Sequence, residues 1–470
     1  MKNKVIHISA ECYPIAKVGG LADVVGALPK YQNKLGEHSS VIMPFYDIAF
    51  TQTHKFNCIF ESTVVLDDQE FAYSILTPVK SSLGFDIFLV DIPELLFKDY
   101  IYSLNDVNRF LAFQIAALDW VLTLKERPNT IHCHDHHTGL IPFMLQECYK
   151  YKILNTIPVV FTIHNAQYQG WFSYENMRLI PAFDSNKIGL LDWIGNINPL
   201  AAAIKCAWKV TTVSPSYMEE LKLSANGLEA LLSSEHDKCV GILNGIDDHV
   251  WDPETDKYLD TKFNVSNNIS GKKANKKWLC QTFNLEENTP LFVFIGRLVH
   301  EKGSDLFPEA FNIALQNKNI SILLLGSGDS ETEERLEYLK WEHKGNYNNY
   351  IGYNEKLSHQ IYAGADFLLM PSRVEPCGLN QMYALRYGTI PIVRSIGGLK
   401  DTIIDIGDNG FGITHRNASV EDICHAIERA TEFYNNKSAF KKTRKHIMTI
   451  DHSWDNSAKQ YIELYKQLNK

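Results

Sequence analysis

The chain lacks a basic excess: 46 Lys and Arg stand against 55 Asp and Glu in 470 residues, a formal net charge of −9. Attraction to a nucleic-acid backbone or an anionic membrane needs the opposite balance, so neither is expected as a partner, and any anionic ligand must be held by a local site. Long hydrophobic runs are missing as well, none reaching the roughly 18 apolar residues of a membrane span. The opening MKNKVIHISAECYPIAKVGG turns polar and acidic where a signal peptide needs an apolar core. Glycine and proline, 27 and 17 residues, are not enriched, which excludes disordered and fibrous classes. No Cys-x-x-Cys pair occurs; the nine cysteines, Cys12, Cys58, Cys133, Cys148, Cys206, Cys239, Cys280, Cys377 and Cys424, are scattered and odd in number, the pattern of reduced thiols. These absences predict a cytoplasmic protein in solution. The 45% hydrophobic and 21% charged shares that remain are ordinary for a globular chain long enough for about three domains, or for two larger α/β domains.

Short β-branched or apolar runs alternate with helical segments, the pattern of parallel sheets built from βαβ units. Strands are predicted at residues 4–9, 39–43, 86–91, 130–134, 158–163 and 210–213, and again at 291–295, 320–325, 350–352, 366–370 and 390–393. Between Gly245 and Pro290 the alternation breaks at an Asp-Pro and a polar, Asn- and Lys-rich stretch, which places a domain boundary near Gly245–Pro253. The fold class expected is α/β, with two tandem Rossmann-like, doubly wound domains: residues 1–245, completed by a C-terminal helix at 452–470, and residues 246–451. Ligands of such sheets bind beyond the carboxyl ends of the strands, so a shared cleft between the domains is expected.

The candidate residues lie at those strand ends. Lys17-Val18-Gly19-Gly20-Leu21 follows the first strand and opens a helix, where backbone N–H groups can approach an anion. A tight turn needs glycine whatever binds there, and the segment is not G-x-G-x-x-G. Gly296-Arg297 and Lys302-Gly303 mirror it in the second half, pairing a planar guanidinium with a point charge suited to a diphosphate leaving group. Pro371-Ser372-Arg373-Val374-Glu375-Pro376-Cys377-Gly378-Leu379 puts a carboxylate on a rigid turn, fit to accept from sugar hydroxyls. Gly397-Gly398-Leu399 opens another helix, and its repeat of the glycine pattern favours an anion held by backbone amides. His132-Cys133-His134-Asp135-His136-His137 contains metal-ligand types, but His132 and His134 alternate with Cys133 and Asp135 across a strand, and no H-E-x-x-H partner exists. No metal is expected there; Asp135 and His137 are instead expected at the strand exit, lining the cleft. His164, in Thr162-Ile163-His164-Asn165, ends a buried strand in the same way.

In this order, and joined by Val213–Tyr217, Gly241–Asp247 and Gly352-Tyr353, these segments resemble the bacterial glycogen synthase and plant starch synthase family of retaining glycosyltransferases. The likeness runs from Lys4 to about Leu468. It implies a GT-B type fold and transfer of glucose from ADP-glucose to the non-reducing end of an α-1,4-glucan such as glycogen, with retention and without a metal or other cofactor. It implies catalytic roles for His164, Glu375, Arg297, Lys302 and Asp135. Lys17, Gly19, Gly20, Tyr353, Cys377, Gly378 and Leu379 would bind the donor, Tyr353 by stacking on the base. Asn244 and His137 would lie toward the acceptor. No carboxylate nucleophile for a double displacement stands out. Three positions depart from the family pattern: Ala201 stands where a Lys is usual, Phe45 where an Arg is common, and Tyr383 where related transferases carry a second Glu. A UDP-glucose-dependent transferase of the same fold and a catalytically silent glycan-binding protein are the alternatives. The residues carry no signal for oligomeric state.

Overall fold

A computed structural model describes residues 4–316 and 319–469. They divide into two compact units, Met1–Asn244 with Trp454–Lys470, and Gly245–Ser453.

The first unit carries β1 (Lys4–Ile8), β2 (His38–Pro44), β3 (Phe56–Leu66), β4 (Gln69–Pro78), β5 (Asp86–Asp91), β6 (Thr130–His134), β7 (Val159–Ile163), the short pair β8 (Asp192–Trp193) and β9 (Asn196–Ile197), β10 (Lys209–Thr212) and β11 (Cys239–Gly241). Its nine-stranded sheet has the order β11-β10-β7-β6-β1-β2-β5-β4-β3. Strands such as KVIHI and VVFTI are buried along almost their whole length, as parallel strands covered on both faces must be. The sequence pattern had no strands between residues 44 and 85. There β3 and β4 form an antiparallel hairpin on β5, turning through Asp67 at φ 57°. Many residues of β3 are exposed on this sheet edge, so it shows no continuous apolar run to read.

The helix Trp454–Leu468 belongs to this unit. Tyr461 and Tyr465 are fully buried and pack with Val5, Val24, Leu28, Tyr31, Val160 and Ile242. Burying each such side chain contributes about 1.5–3 kcal/mol.

The second unit holds β12 (Leu291–Ile295), β13 (Ser321–Gly326), β14 (Tyr347–Ile351), β15 (Phe367–Met370), β16 (Ile390–Arg394) and β17 (Ile413–His415). The sheet is wholly parallel, in the order β14-β13-β12-β15-β16-β17. The stretch where the alternation breaks is not a plain linker, because it contains the helix Asn268–Phe283. Two lysines of that helix are buried. Lys272 Nζ donates to the carbonyls of Tyr362 and Tyr387 at 2.9 Å, and Lys276 pairs with Asp366 at 2.7 Å. Arg444 reaches the other oxygen of Asp366. Burial pushes the Asp366 carboxyl up, but the two cations outweigh it and hold the group at about 2.

Candidate active site

Each unit places its candidate side chains where its strands end. In the second unit β12 exits through Gly296 into Arg297, whose side chain is 71% exposed and lies 3.9 Å from Glu301. A short turn at His300–Lys302 follows, closed by Gly303 in the left-handed region at φ 71°. Lys302 Nζ donates to both oxygens of Glu375, at 2.8 and 2.7 Å, and Ser372 Oγ donates to Oε2 at 2.9 Å. Glu375 is itself buried. Around this pair the loop is clamped. Arg373 forms a bidentate pair with Asp305, and Arg394 donates to the carbonyls of Ser372 and Arg373. Asn380 ties the following helix to Ile295 O at 2.7 Å. The result is a fixed carboxylate and two cations, one engaged and one exposed, beside two strand ends.

The glycines divide into two kinds. A Cβ on Gly397 would lie 2.1 Å from Glu375 O, and one on Gly398 2.1 Å from Cys377 O. The backbone of the Glu375–Cys377 loop rests on this Gly-Gly, so packing alone demands glycine there. Gly19 and Gly20 are different: nothing among the described residues lies within 4 Å of a Cβ on either, and neither has positive φ. Neither packing nor conformation demands glycine there, so the open space favours close approach by a ligand.

The backbone around that space is not free to act as an unoccupied anion cradle. Glu11 Oε2 accepts from the amides of Val18 and Gly19, the latter at 3.0 Å, while Oε1 accepts from Tyr102 Oη. Burial pushes the Glu11 carboxyl up, opposed by these donors. The protein's own carboxylate thus shapes the loop. Lys17 is paired with Asp23 at 2.6 Å beside it.

At the end of β6, Asp135 takes φ 55° and ψ 175°, a conformation a side chain rarely adopts. Its carboxylate accepts from the backbone N–H of His164 at 2.8 Å, and burial pushes the group up to about 7. His137 is buried, stacked on Tyr102 with ring centroids 4.6 Å apart, its Nδ1 without a partner among the described residues. Asn244 Oδ1 is likewise buried and unpaired among them. His164 is 9% exposed, and burial lowers it to about 3. In the second unit Tyr353 is 85% exposed, Cys377 is buried and Gly378 has φ 72°.

The metal-ligand types gather differently from the sequence run. His7, His132 and His134 place one nitrogen each within 4.8 Å of one another. All six ring nitrogens are already hydrogen-bonded: His7 to Gln32 and His134, His132 to Tyr465 and Thr162, His134 to His7 and His164. A metal would have to displace that network. Sequence reasoning missed His7, Gln32, Glu11, Tyr102 and Ser372.

The departures are accommodated locally. Ala201 is fully buried in the helix Pro199–Cys206, capped by Asn198, whose Oδ1 accepts from Ala201 N at 3.0 Å. Phe45 stacks on Phe97, and Tyr383 on Trp251.

Comparison with known proteins identifies this chain of two α/β units as a glycosyltransferase. Residues 4–234 match the family described as starch synthase catalytic domain, and residues 279–446 match glycosyl transferases group 1. The glycogen synthase of Flavobacterium johnsoniae is 52% identical over 98% of both chains; that of Anoxybacillus flavithermus is 37% identical over 99% of this chain and 98% of its own. The catalytic domain of starch synthase IV from Arabidopsis thaliana, solved with ADP and acarbose, superposes with a TM-score of 0.89 at 32% identity, covering 100% of both chains. The chain belongs to the glycogen synthase family.

Proposed function

We propose that the enzyme transfers glucose from ADP-glucose to the non-reducing 4-hydroxyl of an α-1,4-glucan with retention of configuration. The observation that carries this reading is the Lys302–Glu375 pair, on the same loop after β12 as the exposed Arg297. Fixed cations next to a carboxylate suit a reaction that separates a glucosyl group from a diphosphate. The ADP held by the Arabidopsis relative supports the choice of nucleotide.

The bond from the anomeric carbon to the diphosphate oxygen breaks as positive charge grows on the sugar. Arg297 and Lys302 then face more negative charge than in the ground state, and stabilise the transition state selectively. The acceptor oxygen attacks from the same face, and its proton passes to the leaving phosphate. Glu375, with Lys302 and Ser372 on its oxygens, is suited to orient hydroxyls rather than to attack carbon. His164, held at about 3, is a poor proton donor at neutral pH. In this reading side-chain cations supply the charge, with no metal or cofactor. Lys17, Gly19, Gly20, Tyr353 and Cys377–Leu379 serve the donor, and Asn244 and His137 the acceptor. Among the described residues no helix is long and apolar enough to cross a membrane. Nine free thiols suit the cytoplasm.

Incorporation of labelled glucose into glycogen, with ADP-glucose and UDP-glucose compared, tests the proposal. Preferential transfer from ADP-glucose into α-1,4 linkages is the expected result. Transfer from neither donor, or a preference for UDP-glucose, overturns it.

A further inference from the structure

A file of buried rings leads from the helix Gly20–Lys34 to His164. Gln32 Oε1 lies 2.9 Å from His7 Nε2; His7 Nδ1 lies 3.0 Å from His134 Nε2; His134 Nδ1 lies 3.1 Å from His164 Nε2. Gln32, His7 and His134 are fully buried, and only His164 reaches the surface. Burial keeps the rings neutral, His7 at about 4 and His134 well below its ordinary value. A neutral imidazole has one N–H and one lone pair, so the direction chosen at one ring passes to the next.

Ser39 sets that direction. Its hydroxyl lies 2.6 Å from Gln32 Oε1, within the range of an O–H···O bond and short for N–H···O. Turning the Gln32 amide over would put an N–H in that place and leave the buried Ser39 hydroxyl with no acceptor among the described residues. Tyr465 Oη takes the Gln32 Nε2–H at 3.2 Å, consistent with the same orientation. Gln32 therefore accepts from His7 Nε2–H, His7 Nδ1 from His134 Nε2–H, and His134 Nδ1 from His164 Nε2–H.

We propose that Gln32, His7 and His134 are positioning residues that hold His164 in the Nε2–H tautomer, so that its Nδ1 meets the substrate as an acceptor of a hydroxyl hydrogen. This rests on the placing of His164 at the sugar under the proposed function. The opposite tautomer would offer an N–H instead, which can donate to a hydroxyl oxygen but cannot accept its hydrogen.

Histidine-selective 15N labelling of the full chain, read by long-range proton–nitrogen correlation, reports the tautomers without requiring turnover. In the wild type, His7, His134 and His164 are each expected to be protonated on Nε2. Gln32→Met removes the terminal acceptor; Nδ1–H should then appear at His164, and kcat/KM for the donor should fall about tenfold, the scale of one hydrogen bond. Gln32→Glu keeps an acceptor and should restore both. A wild-type His164 protonated on Nδ1 overturns the relay, and this spectrum decides even if a variant fails to fold. A Gln32→Met chain with an unchanged His164 tautomer, or with a changed tautomer and unchanged kcat/KM, overturns it as well. If the wild type shows the tautomers but transfers no glucose, the functional reading fails and the relay stands.

Discussion

Lys302 and Glu375 meet at 2.7 Å, yet the proposed roles point them at different parts of one donor: the lysine at a phosphate oxygen, the glutamate at sugar hydroxyls. The pair serves as a store of orientation, because each partner is aimed before the donor arrives. Among the described residues Arg297 has no such partner closer than the 3.9 Å contact with Glu301, and its 71% exposure makes its removal harmless to the fold. Lys302→Ala, Glu375→Ala and Arg297→Ala are each expected to lower turnover at saturating donor by at least about a hundredfold, the scale of a lost transition-state contact. The Arg297 variant should keep the wild-type melting temperature. Near-normal turnover in all three would refute the site. Asp135 illustrates another residue-scale cost. Its φ of 55° and ψ of 175° cost roughly 1–3 kcal/mol, a strain held in place by the carboxylate's bond to the His164 amide.

At the scale of elements, the two Gly-Gly pairs separate packing from binding. Gly398→Ala must push away the Cys377 carbonyl oxygen, which would lie 2.1 Å from the new Cβ, moving the loop that carries Glu375. It should lower the melting temperature and turnover together. Gly19→Ala and Gly20→Ala meet no neighbour within 4 Å among the described residues, so they should leave the melting temperature unchanged and raise KM for the donor. A destabilised Gly19 or Gly20 variant, seen by calorimetry, would contradict the contrast. Sequence could not make this distinction, since both pairs precede a helix. It did show the buried parallel strands: β5, β6 and β12 span the predicted residues, because short runs rich in β-branched and apolar residues bounded by turns have few other uses. The β3–β4 hairpin and the Asn268–Phe283 helix escaped for opposite reasons. The hairpin is an exposed edge, and the helix buries lysines, whose charge is satisfied only by residues distant in sequence such as Asp366 and Thr389. The imidazole relay escaped likewise, because its links join β1, β6 and β7 across the sheet rather than along the chain.

For the whole molecule, titration should separate the two units. Five buried histidines of the first unit, His7, His132, His134, His137 and His164, are each lowered by burial, whereas in the second unit burial lowers His415 and His452. Unfolded, each would titrate near 6.5, so between that pH and the folded value the unfolded chain binds more protons. Folding of this unit therefore weakens as pH falls below about 6.5. A ring held at about 4, as His7 is, costs the fold roughly 3 kcal/mol once pH drops beneath that value. Asp135 runs the other way. With its folded value raised to about 7, its contribution is present at low pH and is lost as pH rises through about 7. Burial raises Glu11, Asp23 and Asp91 as well, so four carboxyls oppose the five rings, and the greater number of rings gives the first unit's net slope the sign set by the histidines. In the second unit the Asp366 network keeps its contribution until pH falls toward about 2, through a window well below that of the histidines. Hydrogen exchange at pH 7 and pH 5, corrected for intrinsic rates, should show β1, β6 and β7 losing protection while β12, β13 and β15 keep theirs. Equal loss in both sheets, or earlier loss in the second, would mean that the buried imidazoles do not govern acid stability.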